Sequence, residues 1–301
     1  MALAPANDRW ANWVLSQRDG GDRARACATR DAVAAQARRL LALAGLTPGS
    51  MLADIGCGEG LLSWEALSMT AGALRVALSD VSPRLLRRAR AFARLCGHAA
   101  RCRFSLADAT RLGHLPDSSI DIAALRAVLA YVDDKPAALR EAWRVLRPGG
   151  RLALAEPVFQ DEALAAAELQ HALQLGAATD PVLPLLLRWK AAQFPTDAVS
   201  MARNAACSCN ERDLLRLVRQ TGFDRVHLEL HIDLQPAPAC DWETFIARAP
   251  HPLAPSLAEI LHQRFDADER VRFERALRPQ VESGRLQADD RTVYLVARKP
   301  G

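Results

Sequence analysis

The sequence predicts an α/β fold built on a doubly wound, seven-stranded sheet. Three observations support it. Short apolar runs at 51–55, 74–79, 103–106, 120–125 and 151–155 alternate with amphipathic helical stretches. Strands spaced by helices make right-handed β-α-β units, so these five strands form a parallel sheet covered on both faces. Two further runs, 226–234 and 291–298, alternate like strands and complete a set of seven.

The elements follow in order. Residues 7–46 read as helical, with Asn7 and Asp8 as cap candidates and Trp10, Trp13 and Val14 at helical spacing. A break at Gly20-Gly21 precedes a second helix from about Arg30 to Ala44, with Val33, Ala37, Leu40, Leu41 and Ala44 on one face. Met51–Ile55 is a strand that runs into glycines, and 61–69 is a helix. Ser82-Pro83 after the second strand is an N-cap with proline at the first helical position. Leu85, Leu86, Ala89, Phe92 and Ala93 form the buried stripe of that helix, which ends near Gly97. Asp134 and Pro136 open a helix carrying Leu139, Trp143 and Leu146, and Arg147-Pro148-Gly149-Gly150 ends it. From 161 to 201 the chain is Ala/Leu-rich and helical, interrupted by Pro181 and Pro184. Asn210 and Asp213 form a capping box. Residues 241–283 are helical again. These features divide the chain into a helical N-terminal cap (1–46) and one domain (47–301). That domain carries helical insertions at about 158–205 and 236–290.

The 301 residues carry 39 Lys and Arg against 35 Asp and Glu, a formal net charge of +4. That small basic excess is only a weak argument for nucleic acid or an anionic membrane, and the lack of any recognition motif weighs against a nucleic-acid partner. The arginines of 84–94 mostly face away from the apolar stripe and read as a solvated surface. Seven scattered cysteines without a C-x-x-C pair imply reduced thiols and a cytoplasmic protein. The first thirteen residues lack a signal-peptide core, and no apolar run is long enough for a membrane span.

The most informative segment is Asp54-Ile55-Gly56-Cys57-Gly58-Glu59-Gly60, a buried strand passing through a Gly-x-Gly-x-Gly turn into a helix. Glycines there allow close backbone approach to a ligand. A dinucleotide fingerprint would be G-x-G-x-x-G, leaving room for a pyrophosphate at the helix N-terminus. Here two carboxylates, Asp54 and Glu59, crowd that N-terminus instead. They suit a cationic ligand such as an adenosyl sulfonium.

Residues 51–157 resemble the class I S-adenosylmethionine-dependent methyltransferases, in the branch with the ubiquinone/menaquinone and arsenite enzymes. The glycine segment matches the first motif. Asp80, Asp108-Ala109, Asp121–Leu125 and Arg147–Leu152 match the later motifs in order. The resemblance implies a Rossmann-like sheet with an antiparallel last strand and S-adenosyl-L-methionine as cofactor. It also implies cofactor binding by Asp54, Gly56, Gly58, Gly60, Asp80 (ribose) and Asp108-Ala109 (adenine). Trp10 folds over the cofactor in this reading, and Arg126 also lies near it.

The catalytic candidates are Glu156 (orienting group or base), Arg126 (clamp for an acidic acceptor) and Tyr131. Arg126 has a competing structural reading, pairing with Asp133 or Asp134. Trp189, Phe194, Trp242 and Phe245 furnish the insertions as an acceptor pocket. The acceptor is a small, partly hydrophobic molecule, methylated by in-line displacement. Three alternatives stay open: a thiol-dependent arsenite-type enzyme using Cys57, Cys207 and Cys209, a nicotinamide-dependent oxidoreductase, and a non-catalytic S-adenosylmethionine-binding protein. No metal site is expected, since C-x-C is not a zinc spacing and the histidines form no pair. A homodimer is among the open oligomeric states.

Overall fold

The computed structural model describes residues 8–176 and 179–301. The candidate cap Asn7 lies outside them. Seven strands form one sheet in the order β3-β2-β1-β4-β5-β7-β6. They are β1 (Met51–Ile55), β2 (Arg75–Asp80), β3 (Cys102–Leu106), β4 (Ile120–Arg126), β5 (Leu146–Pro157), β6 (Asp224–Pro236) and β7 (Gln287–Arg298). β1 to β5 pair in parallel, and β7 runs antiparallel to both β5 and β6. The chain winds outward from β1 to β3, then returns to place β4 on the other side of β1. This reversal opens a crevice at the carboxyl ends of the strands, the usual ligand position in such sheets.

Alternation along the central strands feeds two cores. Ala53, Ile55, Ala123 and Leu125 face one layer, with α5 (Lys135–Val145) and α9 (Glu211–Gln220). Leu52, Ile122 and Ala124 face the other, with α2 (Arg23–Leu43), α3 (Leu61–Met69) and α4 (Pro83–Leu95). Both layers cover β7, so Tyr294 and Val296 are buried along with Val293, Leu295 and Ala297. The two-faced alternation read from the sequence therefore has no solvated side here.

α1 (Arg9–Asn12) runs into a π-helical turn, Trp13–Gln17. α2 starts at Arg23, a full two turns before the expected Arg30, because the Asp22 side chain accepts from the Arg25 N–H at 2.8 Å. Its first buried residue is Val33, so the apolar period is silent over the opening turns. Phe92 is another correction: it is exposed and lies against Trp64 with ring centroids 5.2 Å apart. Leu146, read as helical, is the buried first residue of β5. The Ser82 cap and the Asn210/Asp213 capping box form as expected.

The segment after β5 folds as α6 (Gln160–Gln174), α7 (Leu183–Gln193) and α8 (Ala198–Arg203). Between β6 and β7 lie α10 (Trp242–Ile246), α11 (Leu257–Arg264) and α12 (Ala267–Glu282). Among the described residues, no helix is long and apolar enough to cross a membrane.

Candidate functional site

A cavity of about 700 Å³ occupies the crevice at the strand ends. This is within the usual range of roughly 300–1,000 Å³ for small-molecule pockets. Following the sheet from β3 toward β4, its wall presents Asp108-Ala109, Asp80, the glycine turn with Asp54, and then Arg126 and Tyr131. Trp10, Trp13, Val14, Arg18 and Val33 line it from the N-terminal segment.

Gly56, Gly58 and Gly60 all have positive φ, the left-handed region that glycine enters at little cost. A Cβ on Gly56 would run into Val128, and one on Gly60 would lie 2.5 Å from the Trp64 ring. At Gly58 a Cβ would meet no protein atom within 4 Å, and Gly58 lines the cavity. The turn is thus packed tightly behind and bare toward the ligand space. The Gly58 N–H donates to Asp80 Oδ2 and the Ser82 N–H to Asp80 Oδ1, each at 2.7 Å. Each carboxylate oxygen still has a free lone pair, so Asp80 can accept from two further donors. Burial pushes its pKa upward.

Asp54 is buried and accepts from the Ser63 hydroxyl at 2.5 Å. Burial raises its pKa to about 6, against the opposing pull of Ser63 and Arg126. Glu59 behaves differently from the sequence expectation. Arg88 pairs with it at 2.5 Å and Arg30 lies 3.9 Å away. Its charge is spent on two arginines from other helices, so one of the two carboxylates expected to attract a cation is neutralised. Asp108 turns Oδ1 onto the Thr110 N–H and hydroxyl, at 2.8 and 2.7 Å.

Arg126 makes no ion pair among the described residues, so neither Asp133 nor Asp134 claims it. It stands in the field of Asp54 and Glu156, and burial lowers its pKa. Tyr131 lies against Trp10 with ring centroids 5.7 Å apart, and burial raises its phenol pKa. Behind Tyr131, His251 packs among Phe159 and Phe194, with Nε2 buried and unpartnered. Burial lowers its pKa to about 4.

Glu156 does not line the cavity. It is 3 % exposed, and its carboxylate accepts from the Val128 N–H (2.9 Å) and the Ala130 N–H (3.1 Å). Burial raises its pKa to about 7. Its place is behind the β4 loop, holding Arg126 and Tyr131 in position, not at the mouth of the crevice. Lys135 braces the other end of that loop by donating to the carbonyls of Val132 (2.9 Å) and Ala205 (2.7 Å).

The N-terminal segment is tied down on both sides of the cavity. The Ser82 hydroxyl donates to Asp8 at 2.6 Å, and the Trp13 indole N–H donates to the Ala249 carbonyl at 2.9 Å. The Ala249 N–H returns a bond to the Gln17 carbonyl at 3.1 Å. Sequence reasoning found Trp10 but missed Arg18, whose guanidinium lies over the Trp13 ring and pairs with Asp19.

The aromatic residues expected to line an acceptor pocket do not. Trp189, Trp242 and Phe245 pack around Phe273, and Phe194 packs with Met201 and Cys207. These insertions are too large to leave their own helices unglued, and their aromatics are spent on that. Among the described residues, Pro252 alone reaches the cavity wall from either segment. Cys207 and Cys209 also lie away from it, while Cys57 lines it. Among the described residues, no three of His, Cys, Asp and Glu come together as a metal site.

Comparison with known proteins agrees with this geometry. The "Methyltransferase domain" family model matches residues 53–154. The chain is 33% identical to a malonyl-[acyl-carrier protein] O-methyltransferase of Serratia marcescens over 221 residues, covering 68% of this chain and 76% of that protein. It is 34% identical to the ubiquinone/menaquinone biosynthesis C-methyltransferase UbiE of Ectopseudomonas mendocina, over 40% of this chain and 46% of the relative. The solved YcgJ protein of Bacillus subtilis superposes with a TM-score of 0.53 at 17% identity, covering 89% of this chain and 99% of that one. The ordered motifs, the sheet with its antiparallel β7 and these similarities together place the chain in the class I S-adenosylmethionine-dependent methyltransferase family.

Proposed function

We propose that this chain transfers the methyl group of S-adenosylmethionine to a small, partly hydrophobic acceptor. The observation that carries this reading is the order of groups along the cavity wall. Carboxylates of Asp108 and Asp80 stand at the β3–β2 side, and aromatic rings with Arg126 stand at the β4 side. The cavity fits the cofactor by the chemistry of its donors. Asp80 would accept from the ribose hydroxyls, Asp108 and Ala109 would meet the adenine, and Gly56 to Gly60 with Asp54 would hold the aminoacyl end.

When bound, S-adenosylmethionine would supply a sulfonium methyl group open to in-line displacement by the acceptor. The protein's part is alignment and exclusion of water. Trp10, Trp13 and Val14 roof the cavity. Arg126 and Tyr131 orient the acceptor, and a half-buried guanidinium without an ion-pair partner among the described residues favours an acceptor oxygen or carboxylate. Glu156 acts through the loop it holds and touches no reactant. We further read residues 47–301 as one catalytic domain, with the described part of 1–46 as its cap.

The placement of Cys207 and Cys209 removes support for thiol-dependent chemistry, and the glycine spacing speaks against a nicotinamide enzyme. Titration calorimetry with S-adenosylmethionine and with NAD tests the cofactor: binding of the first alone is expected. S-adenosylhomocysteine formation across a panel of small carboxylate, phenol and amine acceptors tests the reaction. Methylation confined to tRNA or protein would overturn the acceptor class.

A further inference from the structure

β6 is one of the two edge strands of the sheet and, at 13 residues, its longest. Natural edge strands are usually kept short or protected by lysine, internal proline or bulges. β6 has no lysine, has proline only at its last position, and is irregular only between Asp224 and His227. Its alternate residues Leu230, Ile232 and Leu234 are 37%, 47% and 69% exposed.

The register identifies the backbone groups left open. β6 and β7 pair without interruption from His227↔Val296 to Pro236↔Gln287. Just past the strand ends, the Ala237 N–H donates to the Leu286 carbonyl at 2.7 Å. Antiparallel ladders alternate bonded and non-bonded pairs, so the odd-numbered residues of β6 turn their N–H and C=O groups to β7. Leu228, Leu230, Ile232 and Leu234 turn theirs to the free edge, with their side chains on one face of the strand.

We infer that this edge pairs with the β6 edge of a second copy of the chain, antiparallel, about a two-fold axis at Leu230. The strand is self-complementary in that register. On the apolar face, Leu230 meets the partner's Leu230, Leu228 meets the partner's Ile232, and Val226 meets the partner's Leu234. On the other face, Glu229 stands opposite the partner's His231, and His227 opposite the partner's Asp233. Every such pair occurs twice, as an isologous interface requires. The bonded pairs fall on even residues, whose backbone groups are the ones left open. Sliding to either neighbouring register allowed by that bonding sets Glu229 against the partner's Asp233 or against its own copy. Like charges directly opposite destabilise a strand pair. The result is one continuous sheet across two subunits, with both cavities left free.

Sedimentation of the full chain at micromolar concentration should show a dimer. Leu230→Pro removes an N–H that faces the edge and takes no part in the β7 ladder. It should weaken dimerisation at least about tenfold, the least expected from losing roughly 1.4 kcal/mol, with circular dichroism and S-adenosylmethionine binding unchanged. Ile232→Lys should do the same. Leu230→Cys should crosslink to itself on oxidation above the background of the native cysteines. Paired Cα atoms there sit about 5.5 Å apart, inside the disulfide range. Leu234→Cys should not, since the register sets it about 27 Å from its own copy (eight residues of strand). A monomer overturns the inference, as does a dimer indifferent to Leu230→Pro and Ile232→Lys or one in which Leu234→Cys crosslinks to itself.

Discussion

Replacing Glu156 separates two roles that its position at the end of β5 leaves confounded. In Glu156→Ala, the Val128 and Ala130 N–H groups lose their acceptor. Each unsatisfied donor costs about 1–3 kcal/mol, so the variant should lose about 2–6 kcal/mol. Arg126 and Tyr131 should lose their placement with it. Glu156→Gln can put its carbonyl oxygen where Oε2 stands, 2.9 Å from one donor and 3.1 Å from the other. It should retain most of the stability and the activity. A carboxylate acting as general base behaves otherwise: glutamine would keep the fold and lose roughly 10²–10⁴-fold in rate. Urea denaturation, cofactor titration and the split between kcat and the acceptor KM distinguish the cases. The reasoning fails if Glu156→Gln is as stable as wild type yet as inactive as Glu156→Ala, or if Glu156→Ala loses no stability.

Three further outcomes follow from the site. Asp80→Ala should weaken S-adenosylmethionine binding on the order of a hundredfold or more, since two bonds to a charged acceptor are lost. An affinity within threefold of wild type by calorimetry, roughly 0.6 kcal/mol, would refute the ribose assignment. Gly56→Ala should destabilise the fold by about 2–5 kcal/mol, from positive φ and the contact with Val128. Gly58→Ala should retain more stability and lose cofactor affinity, because its Cβ enters the ligand space. Lastly, Asp54 and Glu156 have raised folded pKa values of about 6 and 7. Between pH 4 and those values, the native state holds more protons than the unfolded chain. Their stabilising contribution is therefore complete at low pH and lost as pH rises through the folded values. The upper bound is about 3 kcal/mol each. Wild type minus Glu156→Gln, compared by urea melts at acid and neutral pH, isolates the Glu156 share; a pH-independent difference would refute it.

Much of the sheet and half of the site were legible because their signals are local. A buried strand entering Gly-x-Gly-x-Gly, a Ser-Pro cap and the Asn210/Asp213 box each sit within a few residues of what they specify. Asp80 and Asp108 were readable because strand ends place them in the crevice. What escaped depends on partners remote in sequence. Glu59 looked free until Arg30 and Arg88 converged on it from α2 and α4. Glu156 looked exposed at a strand end until the β4 loop folded over it. The aromatic residues of the insertions carried no mark to distinguish core from pocket, and two packed clusters consumed them. Arg18 follows directly on a π-helical turn, Trp13–Gln17, and has no apolar period to announce it.

The tie between Trp13 and Ala249 spans 236 positions of the chain. On the ribosome the segment carrying Trp13 emerges early, whereas its anchor is made far later. Closing so long a loop before other contacts form is entropically costly, though the cost grows only with the logarithm of length. The nascent sheet from β1 to β5 is therefore expected to assemble around an unroofed crevice. Attachment at Ala249 is then a late event in maturation, and synthesis past Ala249 becomes a precondition for a closed cavity.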